Sequence, residues 1–421
     1  MLLYYSNGHM DEPSAAARGR TGTFAALAFP NYRLWFFGQM TSLFGTWMQS
    51  TAQGYLVYEL TRSEAYLGYV GFASGIASWL FLLYGGAIAD RVPRRSLLVV
   101  TQALSMLLAL ILAVLTFLRV IAPWHIIVLA FSLGVVNAFD APSRQSFVLE
   151  MVDRRVLTNA IALNSTMFNM AMVVGPSIGG LTYAFFGPGW CFVINGLSFV
   201  AVIAALLAMK LAPWRPPERA GGTLAEIKAG LNAVVSNRRI LGVMCLLGAV
   251  SLFGMSFVTL MPAWAVEVLK GDARTNGFLQ SARGIGAVAA ALAIASLSPR
   301  RSRGAVLMST VFLLPVLLVL FSFTRSLPLS FAALLGVGAV NIAANNLANS
   351  LVQTLTPDAL RGRVMGVYML MFFGFMPIGA LLAGWAATAV GVPRTVVLGA
   401  AGMLACAIVL ALAVPSLRRL E

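Results

Sequence analysis

Long apolar runs alternate with short polar breaks along almost the whole chain, and each run approaches or exceeds the ~20 residues that carry a helix across a bilayer. Reading the runs against their breakers predicts twelve spans, near residues 32–58, 66–89, 96–118, 123–147, 159–186, 189–210, 239–266, 273–298, 305–323, 328–355, 363–388 and 391–414. One long break, 211–237, holds Pro213, Pro216, Pro217, Gly221 and Gly222 and parts six spans from six. The expected organisation is an all-α membrane protein: a tail over 1–31, a six-helix half over 32–210, a linker over 211–238, a second half over 239–414 and a tail over 415–421. Within the linker, residues 224–231 have the pattern of a short amphipathic helix on the membrane surface.

Polar residues inside the spans are patterned too. The first span carries Gln39, Ser42, Thr46, Gln49 and Gln53 at spacings of three, four, three and four, which aligns them on one helix face. The tenth does the same with Asn341, Asn345, Asn349 and Gln353, spaced by four. Spans three, six, nine and twelve are close to uniformly apolar, with Gln102 and Asn195 as the main exceptions. Such amides either join helix to helix, for about a kcal/mol or less each, or line a cavity. Two long polar faces in equivalent helices favour the cavity.

The halves also repeat. Gly134, Val136 and Asn137 match Gly338, Val340 and Asn341 at an offset of 204, and Asp153 matches Asp358 at 205. Span five carries Gly175-Pro176-Ser-Ile-Gly179-Gly180 where span eleven carries Met376-Pro377-Ile-Gly379. Two parallel six-helix halves with a site between them are an architecture that suits alternating access.

Composition agrees with a membrane: 59% of the 421 residues are hydrophobic and 10% charged, against about 45–50% and about 25% in soluble domains. The net charge of +15 invites a nucleic-acid partner, but the basic residues lie between spans and are not interleaved with aromatic residues on one surface, so none is expected. Of 29 Lys and Arg, 22 fall on one side of the spans and six on the other, with Arg283 inside a span. By the positive-inside rule both termini are expected to face the cytoplasm. Arg18 and Arg20 lie in a tail with no apolar core before a small-residue cleavage site, so a cytosolic tail is expected there and not a cleaved signal, with Met10 an alternative start. Cys191, Cys245 and Cys406 sit inside apolar runs without metal or redox spacing and read as packing residues.

A search for chemistry points away from catalysis. His9 and His125 stand apart from any ligand or acid-base cluster, so no metal site and no enzyme activity is expected. None of Lys210, Lys228 and Lys270 follows glycine in a phosphate loop, so no nucleotide or other cofactor is expected and energy has to come from an ion gradient. Ionisable groups inside spans are costly and count as functional candidates. Asp140, with Arg144 one turn on, is either a proton carrier or an i,i+4 structural pair. Arg283 has no acid in its own span, which leaves an anionic cargo group, Asp140 from the facing half, or carbonyl groups as partners.

After the second span, Gly86-Ala-Ile-Ala-Asp90-Arg91-Val-Pro93-Arg94-Arg95 resembles the loop signature of the major facilitator superfamily, with Pro93 where glycine is usual. The runs Phe139-Asp140-Ala-Pro142-Ser-Arg144-Gln145, Leu157-Thr-Asn159-Ala160, Val174-Gly175-Pro176 through Gly179-Gly180, and Arg361-Gly362-Arg363-Val364-Met365 are similar to its bacterial exporter branch for enterobactin, macrolides and other drugs.

The resemblance implies two pseudo-symmetric halves, with the first helix of each triplet facing a central cavity and the third facing lipid. It makes Gly86, Asp90, Arg91, Arg94, Arg95, Arg361 and Arg363 a gating set, in which Asp90 meets the amino end of the eleventh helix, a favourable place for an anion. Gly175, Pro176, Gly179 and Gly180 become a helix-interface set, although Ala171 stands where the antiporter signature has glycine. The first span lacks the carboxylate of several drug antiporters.

The activity implied is secondary active export of small amphipathic molecules, drug-like compounds or siderophores, by proton antiport with alternating access. A nutrient or metabolite importer of the same fold is the alternative. Cargo is expected against Asn137, Arg283, the two amide faces and soft side chains such as Trp47, Met255, Trp264 and Phe372. The expected partners are a small-molecule substrate, protons and the lipid bilayer, around a monomer.

Overall fold

No backbone polar group can stay unpaired in hydrocarbon, so every apolar run folds as a helix. The computed structural model describes residues 24–211, 223–296 and 303–419. Expectations placed on His9, Met10, Arg18, Arg20, Pro213, Pro216, Pro217, Gly221 and Gly222 lie outside the described residues.

The first half comprises α1 (Pro30–Thr61), α2 (Glu64–Ala89), α3 (Arg94–Phe117), α4 (Pro123–Phe147), α5 (Leu157–Phe186) and α6 (Pro188–Ala208). The amphipathic segment is α7 (Thr223–Ser236). The second half follows as α8 (Arg238–Val268), α9 (Ala273–Ser296), α10 (Arg303–Ser322), α11 (Leu327–Leu355), α12 (Asp358–Val390) and α13 (Val392–Ala413). Eleven of these helices are long and apolar enough to cross a membrane. Among the twelve expected spans only α1 is not counted with them, because its amide face dilutes its apolar content.

Local chemistry sets several boundaries. Proline opens α1, α4 and α6, where its missing N–H costs nothing. Asp272 Oδ1 accepts from the Arg274 and Thr275 amides at 3.0 and 3.2 Å and so caps α9. Burial pushes the Asp272 carboxyl up, but the Arg274 guanidinium and these amides outweigh it and hold it below the usual carboxylate range. The turns from α5 to α6 and from α12 to α13 pass through Gly187 and Gly391 at φ 87° and 85°, another match at an offset of 204.

α8 departs from a regular helix. Its α-helical start ends at Ala249 and gives way to wide π turns at Val250–Gly254 and Trp264–Val268, separated by a 3-10 stretch, Ser256–Leu260, and one α turn. Pro262 lies between the two π turns and has no N–H to donate, so the regular i to i−4 ladder cannot run through it.

Packing repeats between the halves. α4 crosses α2 through Gly134, where a Cβ would sit 2.2 Å from the Ser74 carbonyl oxygen. In the same way α11 crosses α9 through Gly338, where a Cβ would sit 2.0 Å from the Arg283 carbonyl oxygen. The halves then meet twice, α2 against α12 and α5 against α9, so the second helix of each half packs on the fifth of the other. These seams are also closed by glycine. A Cβ on Gly277 would lie 2.4 Å from the Pro176 oxygen, one on Gly180 2.5 Å from the Ala273 oxygen, and one on Gly384 2.8 Å from the Glu64 oxygen. Gly175 and Gly179 do the same work within the first half, facing Trp47 Cβ at 2.5 Å and the Met48 oxygen at 2.8 Å.

Candidate functional site

Between the halves lies a cavity of about 470 Å³. The end of the molecule holding Arg91, Arg94, Arg154, Arg361 and Arg363 is called the basic end, and the opposite end, with Glu64 and Lys270, the far end. Six side-chain hydrogen bonds join the halves among the described residues. Tyr58 donates to Glu267, Thr388 to Glu64 (3.4 Å), Trp385 to Tyr69 (3.2 Å), and Asn276 to the Thr51 carbonyl (3.5 Å). Ser177 donates to Ser281 (2.7 Å) and Trp79 to the Leu370 carbonyl (3.2 Å). Five lie between the far end and mid-depth and the sixth, from Trp79 to Leu370, a few residues to the basic side of the helix midpoints, so among the described residues none joins the helix ends at the basic end.

The two walls differ in chemistry. Gln39, Ser42, Thr46, Gln49 and Gln53 of α1 all reach the cavity, as their shared helix face predicts. Ser74 and Ser78 of α2, Gln102 and Ser105 of α3, Asn137 and Asp140 of α4 and Asn195 of α6 complete the polar wall. The second half contributes Val258, Pro262, Phe373, Met376 and Pro377, with Thr259 and Gln280 as its polar members. Gln49 Oε1 is already taken by Asn195 Nδ2 at 2.7 Å. Three buried wall atoms have no partner among the described residues: Gln39 Oε1, Gln102 Oε1 and Arg144 Nε.

Asp140 is the one carboxylate on this wall and is 2% exposed. Its Oδ1 accepts from Thr101 Oγ1 and Gln102 Nε2, both at 2.8 Å, and its Oδ2 pairs with Arg144 Nη2. The facing-half partner considered for Arg283 is therefore not Asp140, whose bonds go to α3 and to its own helix. Arg283 is half-buried, makes no hydrogen bond or ion pair among the described residues, and does not line the cavity.

The amide face of α11 is not brought to this cavity either. Asn345 Nδ2 donates to the Asn341 carbonyl at 2.9 Å, and Gln353 Nε2 donates to Asn349 Oδ1 at 2.6 Å. The expected soft contacts also move. Trp264 is fully buried and stacked on Phe321 at 4.2 Å, and Trp47 packs edge-on against Phe168. Met255 and Phe372 do not line the cavity, and Phe373 and Met376 take that place.

At the basic end, Asp90 follows the last residue of α2, is exposed, and has no side-chain partner among the described residues. Arg94 pairs with Glu150 at 2.6 Å and Arg95 donates to the Leu207 carbonyl at 2.6 Å, both within the first half. Arg361 pairs with Asp358 at 2.5 Å, while Arg91 and Arg363 are exposed. A Cβ on Gly86 would meet nothing within 4 Å. α7 lies along α12 here, with a Cβ on Gly230 placed 2.6 Å from the Arg363 oxygen.

Glu59, Glu64 and Glu267, near the far end, escaped the sequence reading. Glu64 is 8% exposed, and Tyr183 donates to Glu59. Each opens or closes a span, where an acid reads as a solvated end, so nothing local in the sequence marks them.

Comparison with known proteins adds ancestry to this geometry. The staphyloferrin A transporter of Staphylococcus aureus (strain NCTC 8325 / PS 47) is 25% identical, over 86% of this chain and 91% of that protein. The multidrug efflux pump Tap of Mycolicibacterium fortuitum is 28% identical, over 91% and 96%. The enterobactin exporter EntS of Escherichia coli O1:K1 / APEC is 24% identical, over 93% of each. Among solved structures, the nucleoside transporter NupG superposes with a TM-score of 0.67 at 17% identity, covering 93% of this chain and 99% of that one. A bacterial homologue of the human lysosomal transporter Spinster, in an inward-facing and unoccupied conformation, gives 0.68 at 13%, covering 95% and 97%. These two share the fold. The match to the family described as transmembrane secretion effector runs over residues 21–420, and the chain belongs to that family of the major facilitator superfamily.

Proposed function

We propose that this protein exports small amphipathic molecules, drug-like compounds or siderophores, by proton antiport with alternating access. The observation that carries this reading is that the cross-half side-chain bonds gather from the far end to about mid-depth, with none among the described residues at the helix ends of the basic end. The 22-to-6 split of basic residues supports an orientation with that end, and both termini, on the cytoplasmic side of a bacterial-type plasma (inner) membrane. The cavity then faces inward and loads from the cytoplasm.

Its two walls suit an amphipathic cargo. Apolar surface goes against Phe373, Met376 and Pro377, while polar groups on the cargo meet hydroxyls and amides of the facing wall such as Ser42, Thr46 and Asn137. Arg283, one turn beyond Gln280, offers an acidic cargo a charge to turn toward once the halves rock. The relatives' names support siderophores and drugs as the classes to test first.

In a host stripped of its own efflux pumps, expression is expected to lower accumulation of at least one of a panel of cationic dyes, macrolides and siderophores, with an uncoupler abolishing the effect. Saturable uptake in place of efflux would favour the importer. A cysteine at Gly222, in a background lacking the three native cysteines, is expected to stay unlabelled by an impermeant reagent in intact cells, and its labelling would reverse the orientation.

Asp90 belongs to the closure of the basic end, which stands apart in this conformation. Asp90→Asn is expected to leave insertion intact and to favour the cytoplasm-open population by about 1–3 kcal/mol, the usual scale of coupling between sites. Spin labels at Ser96 and Thr354, both exposed at that end on opposite halves, read the change. An unchanged distance distribution removes Asp90 from the latch.

A further inference from the structure

The far-end seam closes on a pair of acids that the exporter reading leaves unused. Glu64 is the first residue of α2, in the first half, and Glu267 lies in the last wide turn of α8, in the second. Their carboxyl groups face each other within hydrogen-bonding reach, and Glu64 is 8% exposed. The helix backbones touch at this point, since a Cβ on Gly384 of α12 would sit 2.8 Å from the Glu64 carbonyl oxygen. Tyr58 of α1 donates its hydroxyl to Glu267, and Thr388 of α12 donates to Glu64 at 3.4 Å.

No lysine or arginine forms an ion pair with either acid among the described residues. Arg62 caps α1 on the α1–α2 turn in a left-handed conformation, and Glu59 on α1 is bonded by Tyr183 of α5. Asp272 is paired with Arg274 at 2.7 Å, and the His125 ring at the start of α4 accepts from the Ala122 amide. Lys270, three residues past Glu267, is exposed. The charged residues of α12, Asp358, Arg361 and Arg363, are all at its opposite end.

We propose that Glu64 and Glu267 bind one proton between them and that this proton holds the far end shut. With the proton present, one carboxyl donates to the other and ties α2 of one half to α8 of the other. With it gone, two carboxylates face each other across a seam with little water, and like charges at that range repel. Wide helical turns recur at functional sites, and Glu267 lies in one.

Resting on the antiport reading, the cycle closes in the right sense. A proton taken from outside, when the far end is open, zips that end and turns the cavity to the cytoplasm. Leu67 and Val57, which line the cavity, are within a turn of Glu64 and Tyr58, so its exit inward is short. Loss of the proton to the cytoplasm then frees the far end to open with cargo aboard.

Spin labels at Val120 and Leu329, exposed at the far end on opposite halves, report the opening directly in protein lacking the native cysteines. In the unsubstituted acid pair, the main distance is expected to lengthen as pH rises from mildly acidic to mildly alkaline. In Glu64→Gln with Glu267→Gln, where the amides stay neutral and can still bond, it is expected to stay short throughout. A distance in the starting protein that ignores pH overturns the proposal, and so does an unaltered pH response in the double variant. Transport in proteoliposomes of a compound found by the efflux panel separates this idea from the antiport reading. Proton-driven transport with a pH-insensitive seam retires the latch alone, and a pH-sensitive seam with transport indifferent to the proton gradient upholds the latch and retires antiport.

Discussion

Asp140→Asn is expected to abolish gradient-driven transport and to lower stability by about 3 kcal/mol, near the low end for breaking a buried ion pair because Arg144 keeps some contact with solvent. The cause is visible in the bonds. Asp140 supplies acceptors to Thr101 and Gln102 on one oxygen and to Arg144 on the other, so it fastens α3 to α4 while neutralising a cation on the cavity wall. An asparagine keeps an acceptor for α3 but turns its own N–H groups toward the guanidinium. Adding Arg144→Gln removes that conflict, and the double variant is expected to regain both stability and gradient-driven transport. Thermal unfolding in detergent and transport in proteoliposomes measure the two. A double variant that folds as well as the original yet cannot move cargo against a gradient would return Asp140 to the role of proton carrier.

The second large effect is expected from Gly277→Val. A Cβ there meets the Pro176 oxygen at 2.4 Å and the Gly180 Cα at 3.1 Å, and both belong to the opposite half. Overpacking of this kind costs about 1–3 kcal/mol when neighbours can yield. Here the cheapest relief is for the halves to part, so the protein is expected to fold and insert but to fail in closing its far end, with transport lost. Gly338→Val makes a similar clash, 2.0 Å from the Arg283 oxygen, but inside one half. It is expected to reduce yield and melting temperature instead. Equal melting losses in the two variants would mean that the seam is part of the folding core and not a moving joint.

How far the sequence led depends on whether a feature was local. The first amide face was legible because a spacing of three and four on α1 fixes which side chains share a face, and that face meets the cavity. The same periodicity on α11 gave a shared face but not its neighbours, and Asn345 bonds back to its own helix. The Asp140–Arg144 pair was readable one turn apart, whereas Thr101 and Gln102 reach Asp140 only through the packing of α3 on α4. Gly180 carried an interface signal without its partner, which turned out to be the Ala273 backbone of the other half. Glu64 and Glu267 stand 203 residues apart and become a pair only when the halves close.

The amide face of α1 also bears on biogenesis. This helix leaves the ribosome first among the spans, yet it alone of the twelve is not counted apolar enough to cross by composition. Two of its polar groups find their partners only in chain that follows much later: Tyr32 donates to the Ala160 carbonyl of α5 at 2.8 Å, and Gln49 accepts from Asn195 of α6. Insertion of α1 by itself is therefore expected to be less favourable than that of the later spans, with α5 and α6 supplying the partners it lacks until they emerge.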